Sequence, residues 1–125
     1  MSNYTSVNLG NFKEIAKLKN GKAFLHDILN LTSCEISVNV VPKDFEIPFN
    51  HKHKENEEIY IIIGGKGIIT IDNKELEVKE GSAVRISPIA KRTIKNTGDS
   101  ELLFICVQAK ENSLKQFGFD DGEIC

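Results

Sequence analysis

From Cys34 onward the chain alternates apolar and polar residues with a period of two: Cys34, Ile36, Val38 and Val40 stand against Glu35, Ser37 and Asn39. Side chains at i and i+2 of a strand share a face, so this pattern predicts a half-buried β-strand. Turn signals then recur every eight to twelve residues or so: Pro42-Lys43-Asp44, Gly64-Gly65-Lys66-Gly67, Asp72-Asn73-Lys74, Glu80-Gly81-Ser82 and Asn96-Thr97-Gly98-Asp99. Between them, strands are predicted over 34–41, 46–53, 57–63, 67–72, 75–79, 83–87, 91–96 and 101–109. About eight short strands suit an all-β sandwich or jelly-roll barrel whose edges are closed or covered. In the stretch 57–63, Ile59, Ile61 and Ile63 face one way while Tyr60 and Ile62 face the other, which predicts a strand buried on both sides.

The first 33 residues follow another rhythm. Phe12, Ile15 and Ala16, then Ala23, Phe24, Leu25, Ile28 and Leu29, recur at helix-like spacings broken by Asn20-Gly21. The expected organisation is a partly helical N-terminal cover segment over 1–33, a barrel over 34–109 and a polar C-terminal tail over 110–125. At 125 residues this is one domain. The 16 basic and 18 acidic residues are interspersed and leave a net charge of −2, which provides neither a basic field for nucleic acid nor a polybasic membrane patch. The longest apolar run, 59–63, falls far short of the ~20 residues of a membrane helix. The polar start Met1-Ser2-Asn3-Tyr4-Thr5 has no apolar leader core, so residence in the cytoplasm is expected. Cys34, Cys106 and Cys125, widely spaced and without a C-x-x-C, fit reduced thiols better than a disulfide framework.

Chemistry concentrates at His51-Lys52-His53. On a strand the two imidazoles would project to one face, close enough for both to reach one ion at about 2.0–2.1 Å. Glu58 follows across the loop formed by Lys54, Glu55, Asn56 and Glu57, which could bring its carboxylate to the same centre. Two neutral imidazoles and one carboxylate suit a divalent transition metal, whether Zn, Fe, Mn or Ni. Glu57 is the alternative carboxylate. Glu58 is preferred because period-two alternation places it on one face with Tyr60 and Ile62.

The segment from Pro48 to Asn96 resembles the cupin family, in particular its small single-domain type-2 members. Their first motif, H-x-H, a short gap, E, six residues and G, is matched by His51, His53, Glu58 and Gly65. The second motif is degenerate: Gly81 and Asn96 stand at its two ends, but Ser87, Ile89 and Arg92 replace the proline, the glycine and the histidine that would be a fourth metal ligand. The resemblance implies a jelly-roll barrel with an internal pocket, a divalent metal and, often, a homodimer. It does not choose a reaction, because one fold hosts many.

Arg92 has no lone pair to offer a metal and could instead hold a carboxylate or phosphate bidentately; the alternative is an ion pair with Glu58. Tyr60, Cys106 and Gln108 are further candidates for contact with a ligand, and Phe45, Ile47, Phe49 and Phe104 for the pocket wall. His26 is expected to lie at the surface. The leading function is a metal-binding cupin that acts on, or recognises, a small anionic metabolite. The rival is a non-catalytic small-molecule binding or sensor module with an Arg92–Glu58 pair and weak or no metal. A homodimer is expected, because a small sandwich patterned with apolar residues on both faces of one strand needs cover on each, and Phe12, Phe24 and Leu25 are candidates for exchange between subunits.

Overall fold

The computed structural model describes residues 3–125; Met1 and Ser2, part of the polar start noted above, lie outside the described residues. Eight strands form two antiparallel sheets around one core. The larger sheet has the order β1 (Lys22–Phe24), β2 (Glu35–Val41), β8 (Leu102–Lys110), β3 (Asn56–Gly64), β6 (Ala83–Ile86). The smaller has the order β5 (Lys74–Lys79), β4 (Lys66–Ile71), β7 (Arg92–Asn96). Tyr60, Ile62, Phe104 and Cys106 of the larger sheet meet Ile69, Val78 and Ile94 of the smaller in a single apolar cluster. Among the described residues no helix is long and apolar enough to cross a membrane.

The expected number of strands is found, but one of them lies elsewhere. Residues 46–53 form no strand and make only two isolated bridges, Glu46 with Lys95 and His51 with Arg92. Pro48, in the middle of this stretch, has no N–H to give to a ladder. The missing strand is β1, inside the segment read as helical. Helix α1 (Phe12–Leu18) precedes it and the single turn α2 (His26–Leu29) follows it. Asn11 caps α1 by accepting from the Glu14 backbone N–H at 3.2 Å. Asn20 and Gly21, both at positive φ, end the helix and turn the chain so that Ala23 and Phe24 enter a sheet.

Two strands exchange the burial expected of them. Strand β2 is buried on both faces: α1 lays Ala16 on Val38 and Val40 outside, while Ser37 and Asn39 turn inward and are each 3% exposed. Strand β3 buries Tyr60 and Ile62 inward but leaves Ile61 38% exposed, because nothing within the described chain covers its outer face. Alternation shows which residues share a face, and only the position of α1 decides which faces are covered.

The turn after β3 is tightly constrained. Gly65 has φ +80, and a Cβ there would stand 2.5 Å from the Glu101 carbonyl oxygen and 3.0 Å from the Leu102 Cα. Gly81, at φ +90, faces open space. Both substitutions to alanine carry the left-handed penalty of roughly 1–2 kcal/mol, and Gly65→Ala adds an overpacking cost of about 1–3 kcal/mol. Chemical denaturation is expected to show Gly65→Ala clearly less stable than Gly81→Ala; equal losses would remove the steric account of this turn.

Candidate metal centre

The inner face of the larger sheet is laid out in rows set by strand register. Glu58 lies opposite Gln108 of β8 and Ile86 of β6; two residues further along, Tyr60 lies opposite Cys106 and Val84. The carboxylate of Glu58 is therefore carried into the sandwich, where the residue is 3% exposed. Glu57, one position away, turns to the other face and accepts from Arg85 Nε at 2.9 Å. The same alternation that selected Glu58 is visible here in the ladder.

The two histidines reach Glu58 without belonging to a strand. Reciprocal backbone hydrogen bonds join His51 and Arg92, with N···O distances of 3.0 and 2.9 Å, and the His53 N–H donates to the Pro88 carbonyl at 2.9 Å. These bonds fasten the loop across the start of β7. Nε2 of His51 lies 3.6 Å from Oε1 of Glu58, and Nε2 of His53 lies 3.1 Å from Oε2. The rings meet edge to face with centroids 5.4 Å apart. One ligand atom from each of His51, His53 and Glu58 lies within 4.8 Å of the others.

This donor set fits a divalent metal. Nε2 of His53 is buried and, despite its proximity to Glu58, lacks hydrogen-bond geometry to any partner. A buried ring nitrogen without a partner is costly unless something accepts its lone pair or its proton. Two imidazoles and a carboxylate form a site of mixed nitrogen and oxygen donors suited to zinc, iron, manganese or nickel.

The remaining candidates fall around the carboxylate in different ways. Arg92 is fully buried at 0% exposure; its Nη2 donates to the Ser87 carbonyl at 2.7 Å and its Nε lies 3.7 Å from Oε1 of Glu58. Its Nε and Nη1 have no hydrogen-bond partner. The hydroxyl of Tyr60 donates to Oε1 of Glu58 at 3.5 Å, and the thiol of Cys106 donates to Oε2 at 3.3 Å. Burial, reinforced by the Glu58 charge, pushes the Cys106 thiol up to about 12 and raises Tyr60 as well, so both remain protonated donors at neutral pH. Gln108 accepts from Asn56 at 3.0 Å at the edge of this cluster. His26 is remote, with Nδ1 on its neighbour Asp27. All three cysteines are free thiols.

A cavity of about 590 Å³ opens beside the centre. His51 and Tyr60 form one part of its wall, and Val41, Ile47, Ile94 and Phe104 give it an apolar middle. Phe45 and Ile47 line it as expected, whereas Phe49 is exposed and does not. Arg92 is not among its lining residues. Lys22, Asn39 and Thr93, which do line it, were not singled out from sequence. Asn39 sat on what read as the solvent face of β2, and Lys22 lay in a segment read as helix.

Burial by itself would raise the Glu58 carboxyl; contact with His51 and Cys106 and the charges of His53 and Arg92 outweigh it and hold the group at about 2. A depressed carboxyl contributes stability above its unfolded value near 4.5 that is lost as pH falls through about 2. In metal-free protein, Glu58→Gln should be the less stable form at pH 6, and the gap to wild type should close between pH 4.5 and 2. Urea titrations across that range that show a constant gap would contradict this.

A family profile for the cupin domain matches residues 37–108. The crystal structure of a cupin protein from Bacteroides fragilis is 39% identical and superposes with a TM-score of 0.87, covering 100% of this chain and 99% of that one. An uncharacterized protein of Methanocaldococcus jannaschii, MJ1618, is 38% identical over 74 residues, covering 59% of this chain and 55% of its own length. An oxalate-binding protein of Thermotoga maritima is 33% identical over 57 residues, covering 46% of this chain and 47% of its own length. The chain thus spans about half the length of these last two relatives. Two antiparallel sheets, the matched profile and the Bacteroides fragilis neighbour agree: the chain belongs to the cupin family, as a small type-2 cupin.

Proposed function

We propose that His51, His53 and Glu58 hold a divalent transition metal and that the adjoining cavity binds a small anionic molecule against it. The observation that carries this reading is the buried, unpartnered Nε2 of His53 beside the buried Glu58 carboxylate. A bound ion would supply Lewis acidity at the cavity wall. Arg92 acts from behind the carboxylate as a counter-charge instead of meeting the ligand, since it is fully buried and outside the cavity lining. One carboxylate set against both a divalent ion and a guanidinium leaves an excess of positive charge in a poorly hydrated place. An anionic ligand offsets that excess. Tyr60 and Cys106, as protonated donors, fix the carboxylate's orientation, and Tyr60 and His51 present the centre to the cavity. The oxalate-binding relative is consistent with an anion as the ligand class.

The 3.7 Å approach of Arg92 to Glu58 also favours the second reading, a binding or sensor module in which this pair takes the place of a tightly held metal. The two readings differ in metal content. Under the first, elemental analysis finds close to one metal per chain, His51→Ala/His53→Ala loses it, and chelation lowers the melting temperature. Metal at a free concentration of ~100 Kd stabilises the fold by about 2.7 kcal/mol. Arg92→Met should raise metal affinity roughly tenfold or more by removing a buried cation close to the ion, in a variant checked for native melting. Metal retained in full by the double histidine variant would remove the first reading.

We also propose a symmetric homodimer formed through the outer face of β3 and β8. Ile59 pairs in register with Val107 and Ile61 with Ile105, which makes a continuous apolar strip on the face that the chain leaves uncovered. Light scattering at micromolar concentration should give twice the chain mass for wild type and a monomer for Ile61→Glu. A monomeric wild type would defeat the proposal.

A further inference from the structure

The cavity has a second polar end, and it comes from outside the segment 37–108 that the family profile matches. Lys22 of β1 pairs with Asn39 of β2, which pairs with Phe104 of β8. Residues directly opposite each other in antiparallel strands share a face, and Phe104 and Asn39 both face inward. Lys22 therefore projects onto the inner side of the sheet, where it lines the cavity. Its ammonium lies 5.6 Å from the centroid of the Phe24 ring.

The other lysine of that rim is already neutralised: Lys17 Nζ lies 2.9 Å from Oε2 of Glu101. Among the described residues Lys22 has no carboxylate within ion-pair distance, so it is the uncompensated cation of the chamber. Glu58 stands at the level of Gln108, and Lys22 at the level of Phe104. Four residues of strand separate those levels, roughly 13 Å along the strands, and three strand spacings of about 4.8 Å separate β1 from β3 across the sheet. The walls between are apolar, including Val41, Ile47 and Ile94. A two-carbon diacid held at the metal centre would leave both this apolar stretch and the lysine without a partner.

We propose that the cavity takes an elongated dianion with an apolar spacer, one anionic group at the metal centre and the far carboxylate on Lys22. This rests on the metal-centre reading for the near end, whereas the Lys22 end stands on the register and the cavity alone. Lys22 is thus a determinant of ligand length and charge supplied by the N-terminal segment.

The test titrates zinc-loaded protein by calorimetry with suberate, succinate and octanoate, for wild type and for Lys22→Met. Suberate should bind wild type at least tenfold more tightly than either other acid, and Lys22→Met should bring suberate down to the level of octanoate while leaving octanoate unchanged. Suberate binding no tighter than octanoate, or a preference that survives Lys22→Met, would overturn the proposal. The same pair of proteins stripped of metal separates the two ends: octanoate should then bind wild type through Lys22 and lose about tenfold in the variant. Equal octanoate affinity in the stripped proteins, or no binding of any acid in either state, overturns the role of Lys22. Elemental analysis of the loaded samples judges the metal centre independently. Lys22 is exposed at a sheet edge, so an unchanged melting temperature for Lys22→Met is expected and confirms that the comparison is between folded proteins.

Discussion

A carboxylate buried in the middle of a β-sandwich organises this molecule. Glu58 is almost wholly removed from solvent, and an ionised group in that position is tolerated only where opposite charge and hydrogen-bond donors surround it. The chain supplies them from three directions. Tyr60 and Cys106 come from the neighbouring row of the same sheet, Arg92 from the opposing sheet, and His51 and His53 from the loop that crosses between the sheets. The assembly holds the carboxyl ionised far below its ordinary range. It also leaves buried donors on Arg92 and a ring nitrogen on His53 without partners. Those unsatisfied groups set the region apart from a fully satisfied buried ion pair.

The fold accounts for how residues so distant in sequence meet. Strand β8 lies between β2 and β3 and brings Cys106 and Gln108 beside Tyr60 and Glu58. The loop before β3 is no strand, yet a bridge to Arg92 of β7 holds His51 and a bond to the Pro88 carbonyl holds His53. Asn96 anchors the far end of β7, donating to the carbonyls of Val41 and Ser100 and accepting from the Gly98 N–H. Arg92, at the near end of the same strand, is thereby held at both its backbone and its guanidinium. Such doubly held elements favour a preformed site over one assembled on binding.

A segment outside the profile match contributes to the wall of the cavity. The profile match begins at residue 37, so α1 and β1 lie outside the matched segment. They do two jobs at once. Ala16 seals the outer face of β2, and the turn that follows carries Lys22 to the edge of the sheet, where it lines the cavity. Without this segment the cavity wall would lack Lys17 and Lys22.

Local pattern determined a good deal by itself. Period-two alternation and regularly spaced turns specified seven of the strands over 34–109 to within a residue or two, and alternation grouped Glu58, Tyr60 and Ile62 on one face. These features depend on neighbours along the chain, so the chain records them. Tertiary structure decided the rest. The histidines' loop is not a strand because Pro48 interrupts it, and the eighth strand came from a segment whose short apolar runs fit either helix or strand. Whether Ser37 and Asn39 faced water or the interior could not be read from alternation, which defines two faces without saying which one another element will cover. The same holds for Arg92: sequence left it between holding an anion and pairing with Glu58, and only the packing of one sheet on the other set its guanidinium behind Glu58 and outside the cavity lining.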